Sequence, residues 1–229
     1  GVNETKVAIP TRVIGIPPIV CISLNEKFSL FCDLHGKVWS CGEVPLPRSG
    51  FGQVLHSKEP KMVPGLEDID SVDVGDDHAL CRDKNGRVWG FGDNTTNQQG
   101  ISTGPSPLQR RNKPTLGGYG IDYVHSFDCG YKLSLFLDEF GNVYGCGSND
   151  HGQLGLEQGN NIDYPTKIPN LPDIKEISCG YFHSLFLSVD GDVYATGMNN
   201  FGQLGLGDKD NRQTPEKIPG LSNIVHLSS

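Results

Sequence analysis

Four times along this chain a glycine is followed by any residue, a valine, an aromatic, two further residues and a second glycine. The copies are GKVWSCG at 36–42, GRVWGFG at 86–92, GNVYGCG at 141–147 and GDVYATG at 191–197. Their first glycines lie 50, 55 and 50 residues apart. Self-similarity at such a period marks a repeat architecture, in which a unit buries its apolar face only by stacking on its neighbours. Function in such chains is carried by surfaces assembled from the loops of several units.

Aligned on this phrase, the units share four parts. A strand-like segment ends at Gly130 or Gly180, and a second follows as LSLFLD or HSLFLS. The turns DLHG, DKNG, DEFG and SVDG come next, with Asp, Asn and Gly supplying the positive φ of a tight hairpin. The Val-aromatic strand then leads into a polar loop, SNDHGQLGL at 148–156 and MNNFGQLGL at 198–206. Unit one reduces that loop to SGFGQVL at 49–55, after an inserted EVPLPR. Unit two reduces it to DNTTNQQGI at 93–101, with Asn97 where the others have Gly152 and Gly202. Asparagine tolerates a left-handed backbone better than other non-glycine residues, so the turn is expected to survive. Proline-led segments close the units as EPKMVPGLEDI, YPTKIPNLPDI and TPEKIPGLSNI, which suits an edge strand. Period-two alternation runs through the strands, and no segment carries an apolar period of 3.6, so very little helix is expected. Four short strands per unit fit an all-β propeller blade of four antiparallel strands.

These units resemble the regulator of chromosome condensation repeat, which reads Gly-x-x-His-Ser, then Gly-x-Val-Tyr/Trp, then Asn-x-x-Gly-Gln-Leu-Gly. GYFHSLFL, GDVYATG and NNFGQLGLGD of unit four carry the likeness, unit three nearly matches it, and units one and two are looser. The resemblance implies a β-propeller, usually of seven blades, that binds proteins through one face. In the family that face engages the GTPase Ran, and an inserted element wedges toward its nucleotide site. The stretch ISTGPSPLQRRNKPTLGGYG at 101–120 is the least repeat-like part of this chain and stands in an analogous position, without matching that wedge.

The count is four, not seven. The expected repeats are 24–71, 72–123, 124–173 and 174–223 within a single domain, with 8–23 closing a preceding unit. The reason is that PTRVIGIPPIVCIS at 10–23 resembles TPEKIPGLSNIVHLSS at 214–229. The duplicated ends imply either four repeats of a longer array, or an incomplete ring that oligomerises through its open end blades.

Composition narrows the function. A net charge of −8 argues against direct DNA binding and permits a basic protein partner. The one dense basic cluster, Arg110, Arg111 and Lys113, reads as a solvated loop. No apolar run reaches membrane-spanning length, and GVNETKVAIPTRV has no signal-peptide pattern. Seven cysteines without a CxxC pair fit small core residues in a reducing compartment, nucleus or cytoplasm. His78 and His183 share a repeat position that holds Phe28 and Leu133 elsewhere, so they read as hydrogen-bonded packing residues near the blade interface. Trp39, Trp89, Tyr144 and Tyr194 read as core by the same logic. GFGD at 90–93 and GLGD at 205–208 lack the βαβ setting that phosphate binding needs.

No nucleophile, metal or cofactor signature is present, so no catalytic residue, metal ligand or cofactor is expected. The expected activity is protein binding through loops on one face. Candidate contacts are Asp76, Asp77, Asp93, Asn94, Asn149, Asp150, Asn199 and Asn200, with Arg110 and Arg111, all polar and outside the strand cores. Alternatives are guanine-nucleotide exchange on a Ran-like small GTPase, and attachment to histones or chromatin.

Overall fold

The computed structural model describes residues 9–44, 55–101, 110–117, 120–157 and 159–229. Sixteen strands form four sheets of four. The first sheet holds β1 (Ile19–Leu24), β2 (Phe28–Asp33), β3 (Val38–Val44) and β4 (Leu55–Met62), and the second holds β5 (Ile69–Val74), β6 (His78–Asp83), β7 (Val88–Asp93) and β8 (Arg110–Leu116). The third holds β9 (Val124–Cys129), β10 (Leu133–Asp138), β11 (Val143–Gly147) and β12 (Ile162–Lys167). The fourth holds β13 (Ile174–Cys179), β14 (His183–Ser188), β15 (Val193–Gly197) and β16 (Arg212–Lys217). Each sheet is an antiparallel meander in chain order, and the described residues include no helix.

The hairpin between the second and third strands follows from one aspartate and one glycine. In sheet two, Asp83 Oδ1 accepts the amides of Asn85 and Arg87, and Gly86 takes φ 75°. The other Asp83 oxygen accepts Trp89 Nε1. Asp33 does the same for Trp39, and Asp138 accepts the Tyr144 hydroxyl. These aromatics are half-buried, with their polar edges on the turn, rather than core as their recurrence suggested. Hydrogen bonding lowers the affinity of Asp83 and Asp138 for a proton, against the opposing effect of burial.

The cores lie between sheets. Val72, Phe127 and Ile177 share a repeat position on the innermost strands and are buried against the preceding sheet. Ile22 has that position in sheet one and is 60 % exposed. Polar links between the innermost strands reinforce the stacking. The amide of Val74 donates to Ser23 Oγ at 3.1 Å, that of Cys129 to Asp73 Oδ2 at 2.7 Å, and that of Cys179 to Asp128 Oδ2. Thus each inner strand is fastened to the next through one side chain at a fixed repeat position. Farther out, the prolines of the outermost strands lie under the previous sheet's loop, Pro165 against Gly100 and Pro215 against Gly155.

Three boundaries differ from the sequence reading. Residues 19–24 form the first strand of sheet one, not the close of an earlier unit, because the duplicated segment spans both an outer edge and the inner strand after it. Its second copy behaves consistently: Ile224 donates to Gly191 as Ile174 donates to Gly141, and Ser229 reaches Ser178. Sheet two begins at Ile69, three residues before the expected unit. Arg110–Leu116 is a strand rather than a loop, since Pro114 is unit two's copy of the edge-strand proline and Thr115 pairs with Gly90. Residues 49–54 of the unit-one loop, and 102–109 and 118–119 of the 101–120 stretch, lie outside the described residues.

Candidate partner-binding face

Antiparallel order sends successive connections to opposite ends of each sheet. The Asp-Gly hairpins therefore gather at one end. The first connections (25–27, 75–77, 130–132, 180–182) and the third-strand loops (94–101, 148–157, 198–208) gather at the other. This second end brings together Asp76, Asp77, Asp93, Asn94, Asn149, Asp150, Asn199 and Asn200. The strand β8 starts there with Arg110 and Arg111, whose side chains are outside the described set.

The third-strand loops share one internal frame. Asn149 Oδ1 accepts the Leu154 amide and Asn149 Nδ2 donates to Leu156 O at 2.6 Å. Asn199 accepts the Leu204 amide, and Asn94 accepts that of Gln99. A glutamine in each loop accepts the amide two residues before it: Gln98 from Thr96, Gln153 from His151 and Gln203 from Phe201. Asn97 has φ 63°, against 81° for Gly152 and 79° for Gly202, so asparagine does preserve the left-handed turn. Its Nδ2 donates to Asp163 at 2.7 Å. Asn94, Asn149 and Asn199 are consequently buried and shape the loops from within, whereas Asp150 and Asn200 project outward. Asp93 is also buried, accepting from Thr95 Oγ1 and Gln98 Nε2.

Closer to the axis, the first connections ring a cavity of about 400 Å³ lined by Asn25, Glu26, Asp76, Tyr131 and Tyr181, with Cys129, Cys179 and Ser229 among the other residues around it. Tyr131 and Tyr181 stack with centroids 4.2 Å apart, Phe182 meets both edge-on, and His151 meets Phe182 at 5.1 Å. Lys27 lies 3.5 Å from Asp76 and 4.0 Å from Asp77. On the inner strands, burial and the neighbouring Asp73 charge push Asp128 up to about 7, and burial raises Asp73 as well.

The recurring histidines serve packing. His78 is fully buried with Nε2 2.8 Å from Ser134 Oγ of the next sheet, and burial holds it down to about 4. His183 lies under Gly180, where any β-carbon would collide with its ring. All seven cysteines are free, and five are buried. Burial raises Cys32 to about 12, far from the range of a reactive thiolate. Among the described residues no cluster of His, Cys, Asp and Glu is placed to hold a metal, and no helix is long and apolar enough to cross a membrane.

Glu26, Tyr131 and Tyr181 were not among the sequence candidates. The signal was present: with Asp76 they occupy one repeat position, the first variable residue of Gly-x-x-His-Ser, which reads acid, acid, tyrosine, tyrosine along the chain.

Comparison with known proteins gives a consistent picture. A family model described as the RCC1-like domain matches residues 2–229. Human Protein RCC2 is 32% identical over 133 residues, covering 56% of this chain and 24% of its own length. The human E3 ubiquitin-protein ligase HERC2 is 28% identical over 163 residues, 69% of this chain and 3% of that protein. The chain thus spans about a quarter of the RCC2 length. Among solved structures, human WBSCR16 superposes with a TM-score of 0.83 at 23% identity, over 96% of this chain and 60% of its own. Prp20p of Saccharomyces cerevisiae superposes with a TM-score of 0.79 at 24% identity, over 91% of this chain and 52% of its own. At these identities the structural likeness speaks to the fold: four consecutive blades of the β-propeller type.

Proposed function

Because this chain belongs to the RCC1-like domain family, we propose that it is a non-catalytic protein-binding propeller that engages its partner through the loop-bearing end. The observation that carries this reading is the frame common to the third-strand loops. Buried Asn94, Asn149 and Asn199 tie each loop together from within, and loops ordered before binding carry little ordering cost. Asp76 and Asp77 near the axis, with Asp150 and Asn200 farther out, are the proposed contacts, joined by Asp93 and Asn94 as loop-shaping residues and by Arg110 and Arg111 at the start of β8. The test is affinity capture with quantitative mass spectrometry, comparing the wild type with a Asp150→Arg/Asn200→Arg variant and with Phe140→Arg at the opposite end. Loss of the same partner in the loop variant alone supports the reading. Loss only with Phe140→Arg contradicts it.

Nucleotide exchange on a small GTPase is the second reading. It is favoured by the fold shared with Prp20p, whose structure was described with its binding to Gsp1p and histones. Exchange needs no covalent chemistry, only stabilisation of the nucleotide-free partner. Stopped-flow release of labelled GDP from a Ran-type GTPase tests it, and no acceleration removes it. Histone attachment fits the net charge of −8 and is tested by retention on nucleosomes. Both place the protein in the nucleus or cytoplasm.

A further inference from the structure

The repeat position that supplies Glu26, Asp76, Tyr131 and Tyr181 sends one side chain from every sheet into the same cavity. Nothing in the sheets requires this composition, since the residue follows the end of the inner strand and precedes the buried second strand. At about 400 Å³ the cavity suits one or two side chains rather than a folded domain. Its two sides differ. Sheets three and four contribute stacked rings, and sheets one and two contribute carboxylates.

The charges determine which group each side can receive. Lys27 already faces Asp76 and Asp77, and Lys132 Nζ lies 5.4 Å from the centre of the Tyr131 ring. Glu26 is exposed and has no ion pair among the described residues. Tyr181 is 57% exposed, while Tyr131 and Phe182 fix its ring in place. Packing, contact with Tyr131 and the charges of Asp76 and Asp77 hold the Tyr181 hydroxyl above its ordinary value. A flat cation that stacks on a ring and forks toward a carboxylate matches this arrangement better than a compact ammonium.

We propose that this cavity receives a single arginine side chain from a basic protein segment, the guanidinium lying on Tyr181 and paired with Glu26. This rests on the protein-binding reading and names the chemistry recognised nearest the axis.

The test uses the full chain and three labelled Gly/Ser peptides that differ at one central residue: arginine, lysine or glutamine. Binding is followed by two-dimensional amide NMR and by fluorescence anisotropy. The arginine peptide is expected to shift the 180–182 and 25–27 amides saturably, lysine more weakly, and glutamine not at all. Tyr181→Ala should weaken arginine binding about 2- to 5-fold, the range expected for a cation–ring contact at an exposed ring. Tyr181→Phe, which keeps the ring, should stay within about 2-fold, and Glu26→Gln should lose about 3-fold. Equal binding of the glutamine peptide, or no effect of Tyr181→Ala, overturns the proposal. Shifts confined to the loops of Asp150 and Asn200 also overturn it, while leaving the protein-binding reading standing.

Discussion

Sheets two and three build the same loop from different residues. Sheet three uses Gly152 and Leu154, while sheet two uses Asn97 and Gln99 at those places, and the Asn–Gln frame survives in both. Leu154 is fully buried in an apolar cluster. Gln99 is equally buried, with Nε2 donating to the carbonyls of Gly92 and Asp93 and Oε1 without a hydrogen-bond partner among the described residues. The loop is thus specified by its hydrogen-bonded frame, and the residue plugged beneath it can change at some cost in stability. A second contrast isolates the neighbour. Gly152 and Gly202 both open a GQLGL run and have similar φ, but a β-carbon on Gly152 would strike the Arg212 carbonyl of the next sheet, whereas on Gly202 it would only touch the Asp208 carbonyl at an ordinary 3.9 Å.

The largest expected effect comes from that neighbour. Gly152→Ala should lower unfolding free energy by about 3 kcal/mol, combining backbone strain with a clash between sheets, and Gly202→Ala by only about 1 kcal/mol. Equal losses in urea titrations would mean that φ alone governs the site and that the sheet contact is unimportant. Next, Leu154→Gln should cost about 2 kcal/mol, because it trades apolar burial for an amide that must find partners. The reverse exchange sharpens the comparison: Gln99→Leu should gain about 1 kcal/mol by removing the unpaired oxygen. A destabilised Gln99→Leu would instead make the bonds to Gly92 and Asp93 the dominant contribution.

A separate effect is a slope with pH. Asp128 is raised in the folded state from 3.8 to about 7, so the folded protein holds its proton more tightly and stability declines as pH rises through that window. His78, lowered from 6.5 to about 4, acts oppositely: its contribution is complete above 6.5 and is lost as pH falls toward 4. Asp128→Asn keeps an oxygen for the Cys179 amide and removes the first effect. Its stability relative to the wild type should therefore be higher at pH 7.5 than at pH 4.5, as measured by chemical denaturation. An unchanged difference between the two pH values would show that Asp128 titrates normally.

Much of the fold was legible because its strands carry local signals. Turn aspartates and glycines set the hairpins, and the Val-aromatic phrase marks the third strand of every sheet. Arg110–Leu116 was obscured because Pro114 sits in a stretch whose spacing departs from the period. Trp39 and Trp89 were placed too deep because recurrence reports a shared environment, not its depth, and the indole nitrogens are drawn to the turn carboxylates. The candidate face was legible as a set of loops, but not the division of labour within it. Asn149 and Asn200 look alike in sequence. Only the fold shows that one points into its loop and the other outward. The convergence of Glu26, Asp76, Tyr131 and Tyr181 was written in one alignment column, yet it takes the curvature of neighbouring sheets to bring that column to a single cavity.

The loop-bearing end of the sheets is the proposed binding surface. A photo-crosslinking residue placed at Asn200 and, separately, at exposed Phe140 among the opposite hairpins tests this directly. Saturable cross-links to one protein from Asn200, competed by unlabelled chain and absent from Phe140, are the predicted result. The same adduct formed from Phe140 and not from Asn200 would contradict it.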